Sequence, residues 1–346
     1  MSLRTYLEAA PKAELHVHLE GAILPSTLLE LARRNRRSLP HDTVEGLREW
    51  FVFRDFPHFV EIYGAVSGCV RSSDDYELIA YEFGREMARQ NCRYAEVTFS
   101  PFFHAYHGVP MESYVGGLLR GRDDARRDFA IDFNFVFDII RDWGPDQAYC
   151  NDYTTRVAIE CRGAGVVALG LGGFELGSAP EPYAPWFDRA RAAGLRSAPH
   201  AGETDGAASV RGALDALGAD RIGHGVRAVE DPSVVGELIR RRVPLEVSPT
   251  SNLRLGVYPS LAEHPLRRLH DAGVIVTVNS DDPPLFGTTL NDEVRLLDEG
   301  FGFAVEQIDQ ILLNAVRCSF LPDGQKQALE ARFRDELAEL KREHLA

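Results

Sequence analysis

The stretch AELHVHLEG, Ala13 to Gly21, places two histidines one residue apart in an otherwise apolar run near the start of the chain. Successive side chains of a strand point to opposite faces, which sets His16 and His18 on one face and Leu15, Val17 and Leu19 on the other. Two imidazoles on one face can share a ligand. A metal would take one nitrogen of each ring and an outer acceptor the other. The alternative is a pair of core histidines satisfied by hydrogen bonds within the protein.

Runs of the same kind recur along the chain. After Glu14–Leu19 come Tyr94–Phe99, Asp132–Phe137, Val166–Leu171, Leu195–His200, Arg221–His224, Pro244–Val247 and Val274–Val278, eight candidate strands in all. Helical patterns separate them, among them Asp75–Gln90, Met111–Arg127, Pro185–Ala193, Ala207–Leu217, Pro232–Arg241 and Leu261–Ala272. Strand and helix alternating over short connections predict an α/β fold, the (β/α)8 TIM barrel. The interval Ala22–Arg93 is too long for one crossover helix and is expected to carry an insertion over the barrel mouth. Residues after Val305 read as extra C-terminal helices, with a charged, solvent-facing one from Gln325. Nothing cuts the chain in two, so residues 1–346 are expected to form a single domain.

Composition narrows the function. An apolar fraction of 45% with 26% charged residues is that of a globular protein with a large core. A net charge of -14 speaks against nucleic-acid binding, and no segment has the unbroken apolar length of a membrane span. Arg120, Arg122, Arg126 and Arg127 alternate with Asp123, Asp124 and Asp128 and read as a solvated helix face. Residues 1–11 lack the basic start and apolar run of a signal peptide, so a cytoplasmic protein is expected. Cys69, Cys92, Cys150, Cys161 and Cys318 have no CxxC spacing, which favours free thiols over a disulfide framework or a thiolate metal site.

In a barrel the working residues stand at the C-terminal ends of the strands. Here those ends carry His16 and His18, then APHAGE, RIGHG, EVSPTSN and TVNSDDP. His16, His18, His200 and Asp281 can supply a catalytic metal with nitrogen and oxygen ligands, and Asp281 could also accept a proton from bound water. Singly, His200 reads equally as a core histidine, Asp281 as a helix cap and His224 as a turn histidine. Glu203, three residues past His200, is turned away from that strand face and addresses the substrate, where a carboxyl can shuttle protons. His224, flanked by glycines, can orient the nucleophile.

PKAELHVHLEGA, PHAGE, RIGHG, PTSN and NSDDP, in this order, resemble the adenosine deaminase family of metal-dependent barrel hydrolases over about Pro11 to Phe320. The resemblance implies one zinc ion per chain on His16, His18, His200 and Asp281, with His18 also beside the substrate. It implies Glu203 as proton donor to purine N1, His224 as the residue that orients the nucleophile, Asp282 on N7 and the Gly173 backbone near N3. It further implies a small-molecule purine substrate, with no nucleic acid or membrane partner. Where Glu20 stands, adenosine deaminases have an Asp that bonds the ribose 5'-hydroxyl, and Glu is more like the free-adenine deaminases. Gly223 before the catalytic histidine is instead like the nucleoside deaminases. The expected substrate is adenosine or a 5'-modified adenosine such as aminodeoxyfutalosine, with adenine as the alternative. A non-catalytic purine-binding relative would have lost Glu203 or a ligand, and none is lost.

Further features stay open. Phe53 and Phe56 in FVFRDF match the family's apolar lid over the ribose, or are plain core. Arg54 and His58 meet a carboxylate on a 5'-extended nucleoside, or are surface charge. Glu20 bonds a sugar hydroxyl, or pairs with a basic neighbour. A barrel hydrolase of the kind that uses a metal-bridging lysine is disfavoured, since Lys12, Lys326 and Lys341 are the only lysines.

Overall fold

The computed structural model describes residues 2–345. Its eight strands are β1 (Lys12–His18), β2 (Cys92–Phe99), β3 (Asp132–Ile140), β4 (Val166–Gly172), β5 (Arg196–Ala201), β6 (Ile222–His224), β7 (Leu245–Val247) and β8 (Val276–Val278). They pair in sequence order, every neighbour parallel, with helices in the connections, as the alternating pattern predicts. A parallel bridge between Val17 and Asp281 joins the last strand end to the first. Its hydrogen bonds run from the His18 N–H to the Asp281 carbonyl, 2.9 Å, and from the Asp281 N–H to the His16 carbonyl, 3.0 Å. The backbone that closes the barrel is thus the backbone that carries three of the candidate ligands.

The two faces of β1 show how the sequence does this. Val17 and Leu19 join the large apolar cluster with Val97, Phe99, Phe135 and Phe137 of the next strands and Tyr76 and Phe83 of the helix Ser73–Arg89. The opposite face carries Lys12, Glu14, His16 and His18, of which the first three are buried. Buried charges require partners. Glu14 accepts from the Ser280 N–H and hydroxyl, and Lys12 donates to the carbonyls of Glu8, Ala10 and Gln90. Further round, Arg221 on the approach to β6 lies between Glu96 of β2, 2.6 Å away, and Glu246 of β7.

The interval after β1 holds the helices Pro25–Arg34, Val44–Trp50 and Phe56–Ser67 before the crossover helix Ser73–Arg89. This is the expected insertion. Three sequence expectations are amended. Leu261–Ala272 is helical only over Leu266–Asp271, because Pro265 cannot continue a helix backward. A helix, Ala148–Glu160, joins β3 to β4 where no pattern was singled out. The tail helix Asp323–His344 follows Val305–Cys318 and buries Phe333 and Leu337, so only part of it faces solvent. No helix among the described residues is long and apolar enough to cross a membrane, and the five cysteines are free.

Candidate active site

Strand β1 presents His16 and His18, β5 presents His200, β6 ends on His224, and Asp281 follows β8. Donor atoms of His16, His200, His224 and Asp281 all lie within 4.8 Å of one another. His18 joins them: its Nε2 is 3.1 Å from His200 Nε2 and 3.4 Å from Asp281 Oδ1, while His16 Nε2 is 3.5 Å from the same oxygen. Ligands about 2.0–2.1 Å from a tetrahedral zinc stand roughly 3.3 Å apart, which these separations match. His16 Nε2 is buried with no hydrogen-bond partner. The donor set therefore fits a divalent cation.

Glycine makes this crowding possible. A Cβ at Gly223 would fall 2.6 Å from His16 Cε1, and one at Gly21 would fall 1.6 Å from Asp282 Oδ1. His224 and Asp281 themselves have positive φ, +59° and +64°, a conformation rare for side chains with a Cβ and found where function over-determines the backbone.

Outer partners hold His16, Asp281 and His224, whereas His200 Nδ1 is buried without one. His16 Nδ1 lies 3.0 Å from Glu246 Oε2, Ser251 Oγ donates to Asp281 Oδ2 at 2.6 Å, and Asn252 Nδ2 lies 3.2 Å from His224 Nδ1. Ser251 and Asn252 belong to PTSN on the short helix Pro249–Arg254, which explains that motif as a second layer. Burial pushes the His18, His200 and His224 imidazoles down, His224 to about 3, so they are neutral. Burial would lower His16 too, but the neighbouring carboxylates of Asp281 and Glu246 carry it up to about 10. Burial would raise Asp281, yet His16 beside it and the other surrounding imidazoles hold it well below the usual carboxylate range.

A cavity of about 280 Å³ opens over this cluster. Glu203 and Asp282 line it, and burial, then the charge of Asp281, pushes both carboxyls well above their ordinary range. Glu203 Oε1 and Asp282 Oδ1 are buried without partners, ready for a ligand. His224 Nε2 stands 3.6 Å from Glu203 Oε1 and 3.7 Å from Asp281 Oδ2. Gly173 lines the cavity as well.

The remaining predicted residues divide. Phe56 lines the cavity together with Phe59, Val60 and Tyr63 of the same helix, and its ring packs 5.3 Å from that of Phe174. Phe53 does not line it. Its ring packs behind Phe59 and Phe286, because it precedes the helix Phe56–Ser67 and turns into the core. Arg54 and His58 do not line it either; the Arg54 N–H donates to His58 Nδ1. Glu20 lines the cavity, and it also has a basic neighbour. Its Oε1 accepts from the Ser100 N–H and contacts His104 Nε2, both at 3.1 Å, while Oε2 is buried without a partner.

Several site residues escaped the sequence reading. Asp138 lines the cavity, accepts from Ser100 Oγ at 2.7 Å, and is pushed up to about 8 by burial. Glu175 accepts from the N–H groups of Gly202, Glu203, Thr204 and Asp205 and from Ser209 Oγ, and so shapes the loop that carries Glu203. The available signal was a lone charged residue beside each glycine-rich or aromatic strand end, which local pattern cannot tell from surface charge.

A parallel barrel with histidines and an aspartate at its strand ends defines a metal-dependent hydrolase. The sequence model of the adenosine deaminase family matches residues 11–336, and the chain belongs to that family, whose members act on carbon–nitrogen bonds. It is 40% identical to an aminodeoxyfutalosine deaminase of Streptomyces avermitilis over 331 residues, 95% of this chain and 92% of the other. With an adenine deaminase of Cupriavidus necator it shares 37% over 325 residues, 94% and 92% of the two chains. The crystal structure of an adenine deaminase from Arthrobacter aurescens superposes with a TM-score of 0.87 at 34% identity, covering 96% and 99%. An amidohydrolase from Burkholderia ambifaria with bound zinc gives 0.88 at 28% identity, covering 97% and 93%.

Proposed function

We propose that this chain hydrolyses the 6-amino group of an adenine nucleoside, adenosine or a 5'-modified adenosine, to a 6-oxo group with release of ammonia. The observation that carries the reading is Glu203: a buried carboxyl, pushed by burial above its ordinary range, whose unpartnered Oε1 lines the cavity beside a cluster of imidazoles and one carboxylate. His16, His18, His200 and Asp281 would hold one zinc ion, a choice supported by their spacing and by the zinc in the Burkholderia structure. Bound there, the metal supplies the Lewis acidity that makes water nucleophilic at neutral pH.

The chain's own groups do the rest. Glu203 delivers its proton to purine N1 as oxygen adds at C6, so that the ring takes up the electron pair. His224 orients the attacking water. Asp282 donates toward N7 and the Gly173 N–H toward N3, which fixes the ring plane. The proton left on the added oxygen then passes to the 6-amino nitrogen, the C6–N bond breaks, and ammonia leaves as the C6 carbonyl forms. Among the described residues no lysine or arginine lines the cavity, while Glu20, Asp138, Asp142, Glu203, Asp281 and Asp282 do. That balance favours an uncharged sugar end over a nucleoside phosphate. The aromatic mouth and the similarity to aminodeoxyfutalosine deaminases support a 5'-modified nucleoside. Free adenine is the second reading, supported by the adenine deaminase relatives and by a Glu20 oxygen already engaged with Ser100 and His104.

Glu203→Gln tests the mechanism, since glutamine fills the same volume but cannot give a proton to N1. The turnover number should fall by about 10² to 10⁴, with metal content unchanged. Retained turnover would refute the assignment.

A further inference from the structure

The direction of every proton in the hydrogen bonds behind His224 can be worked out from one fixed point. The Leu266 backbone N–H, at the start of the helix Leu266–Asp271, lies 3.2 Å from His264 Nδ1. A backbone N–H can only donate. His264 Nδ1 is therefore the acceptor, and the proton of this buried ring is on Nε2. That Nε2 is 3.1 Å from Asn252 Oδ1, which must accept. The Asn252 amide is thereby locked with its Nδ2 toward His224 Nδ1, 3.2 Å away, and an amide nitrogen only donates. The opposite amide orientation would require both nitrogens of His264 to accept, which a neutral imidazole cannot do.

We propose that His264 and Asn252 are positioning residues that fix His224 in the tautomer with its proton on Nε2. This inference rests on the deaminase reading and says how the site divides its histidines. A ring nitrogen bearing a proton has no lone pair for a metal. His224, although its ring lies among the candidate ligands, is thus held out of the ligand set by its neighbours. Its Nε2–H points instead to the space between Glu203 and Asp281, where it donates to the nucleophile's oxygen and leaves that oxygen's lone pair aimed at C6. The consequence is a division of labour set from outside the pocket. His264 touches neither substrate nor metal.

Asn252→Asp is nearly isosteric and reverses the last bond, because a carboxylate offers only acceptors to both His264 Nε2 and His224 Nδ1. The zinc-loaded full-length protein, labelled with ¹⁵N at histidine, reports the tautomer directly from the ring nitrogen shifts. In wild type the His224 proton should be on Nε2 and the His264 proton on Nε2. In Asn252→Asp, measured at pH 9, Nδ1 of His224 should gain a proton. The same variant should lose at least about a hundredfold in kcat on adenosine, with KM within about threefold and one metal per chain. A wild-type His224 protonated on Nδ1 overturns the proposal, and needs no variant to fold. So does an Asn252→Asp protein whose Nδ1 stays bare, or one whose Nδ1 is protonated while kcat is unchanged. Failure of the deaminase reading would look different: no ammonia from wild type, with the tautomer as stated.

Discussion

Glu246→Gln should weaken metal binding without touching the metal. Glu246 Oε2 lies 3.0 Å from His16 Nδ1, and its other oxygen takes the Arg221 guanidinium, which also reaches Glu96. The carboxylate thus orients the ligand ring and raises the basicity of its free nitrogen, while Arg221 holds the carboxylate itself below its ordinary range against the pull of burial. Removing such an outer carboxylate typically lowers metal affinity by about 10- to 100-fold, or roughly 1.4–2.7 kcal/mol. Glutamine keeps one acceptor, which places the expected loss at the lower end. The Arg221 bond should weaken as well. A hydrogen bond to a charged group is worth about 2 kcal/mol, and at about 2.1 cal/mol/K per residue this is about 3 °C of Tm for a chain of this length. Zinc affinity would be read by competition with a chelator of known affinity, and Tm by calorimetry on the metal-free protein. A variant that binds zinc within threefold of wild type would refute the argument that the buried Glu96–Arg221–Glu246–His16 chain tunes the metal.

Two further outcomes test single side chains. Phe56→Ala should raise KM for nucleosides about 5- to 30-fold with kcat nearly unchanged, because it strips an aromatic wall from the mouth, whereas Phe53→Ala should lower Tm and leave KM alone. Lys12 gives a pH signature: burial lowers its amine from 10.5 to about 7, so between those values the unfolded chain holds the extra proton and folding stability rises with pH. The difference in Tm between wild type and Lys12→Met should therefore change steadily from pH 7 to 10, and a flat difference would show that Lys12 folds fully charged.

What the sequence revealed follows from where the information sits. Short apolar runs between helical patterns placed all eight strands, because a barrel strand must be apolar where it meets the helices, and strand ends placed His18, His200, Glu203, His224, Asp281 and Asp282 around one cavity with His16 beside them. Contacts across the barrel were not legible. Glu246 begins EVSPTSN and Arg221 begins RIGHG, yet nothing local pairs them with each other or with His16 and Glu96. Phe53 and Phe56 stand three residues apart, and only the start of the helix at Phe56 sends one to the mouth and the other to the core. Glu175 reads as a loop carboxylate, since its five donors come from the loop after β5 and the helix Ala207–Asp215, about thirty residues later.

The central claim is tested most directly by ammonia release from the zinc-loaded enzyme, before and after chelation, on adenine, adenosine, 5'-deoxyadenosine, methylthioadenosine, aminodeoxyfutalosine and AMP. The account predicts release from adenosine or its 5'-modified relatives in preference to adenine, little from AMP, and loss on chelation that zinc restores. Ammonia from none of these 6-aminopurines, or turnover undiminished after the metal is removed, would contradict it.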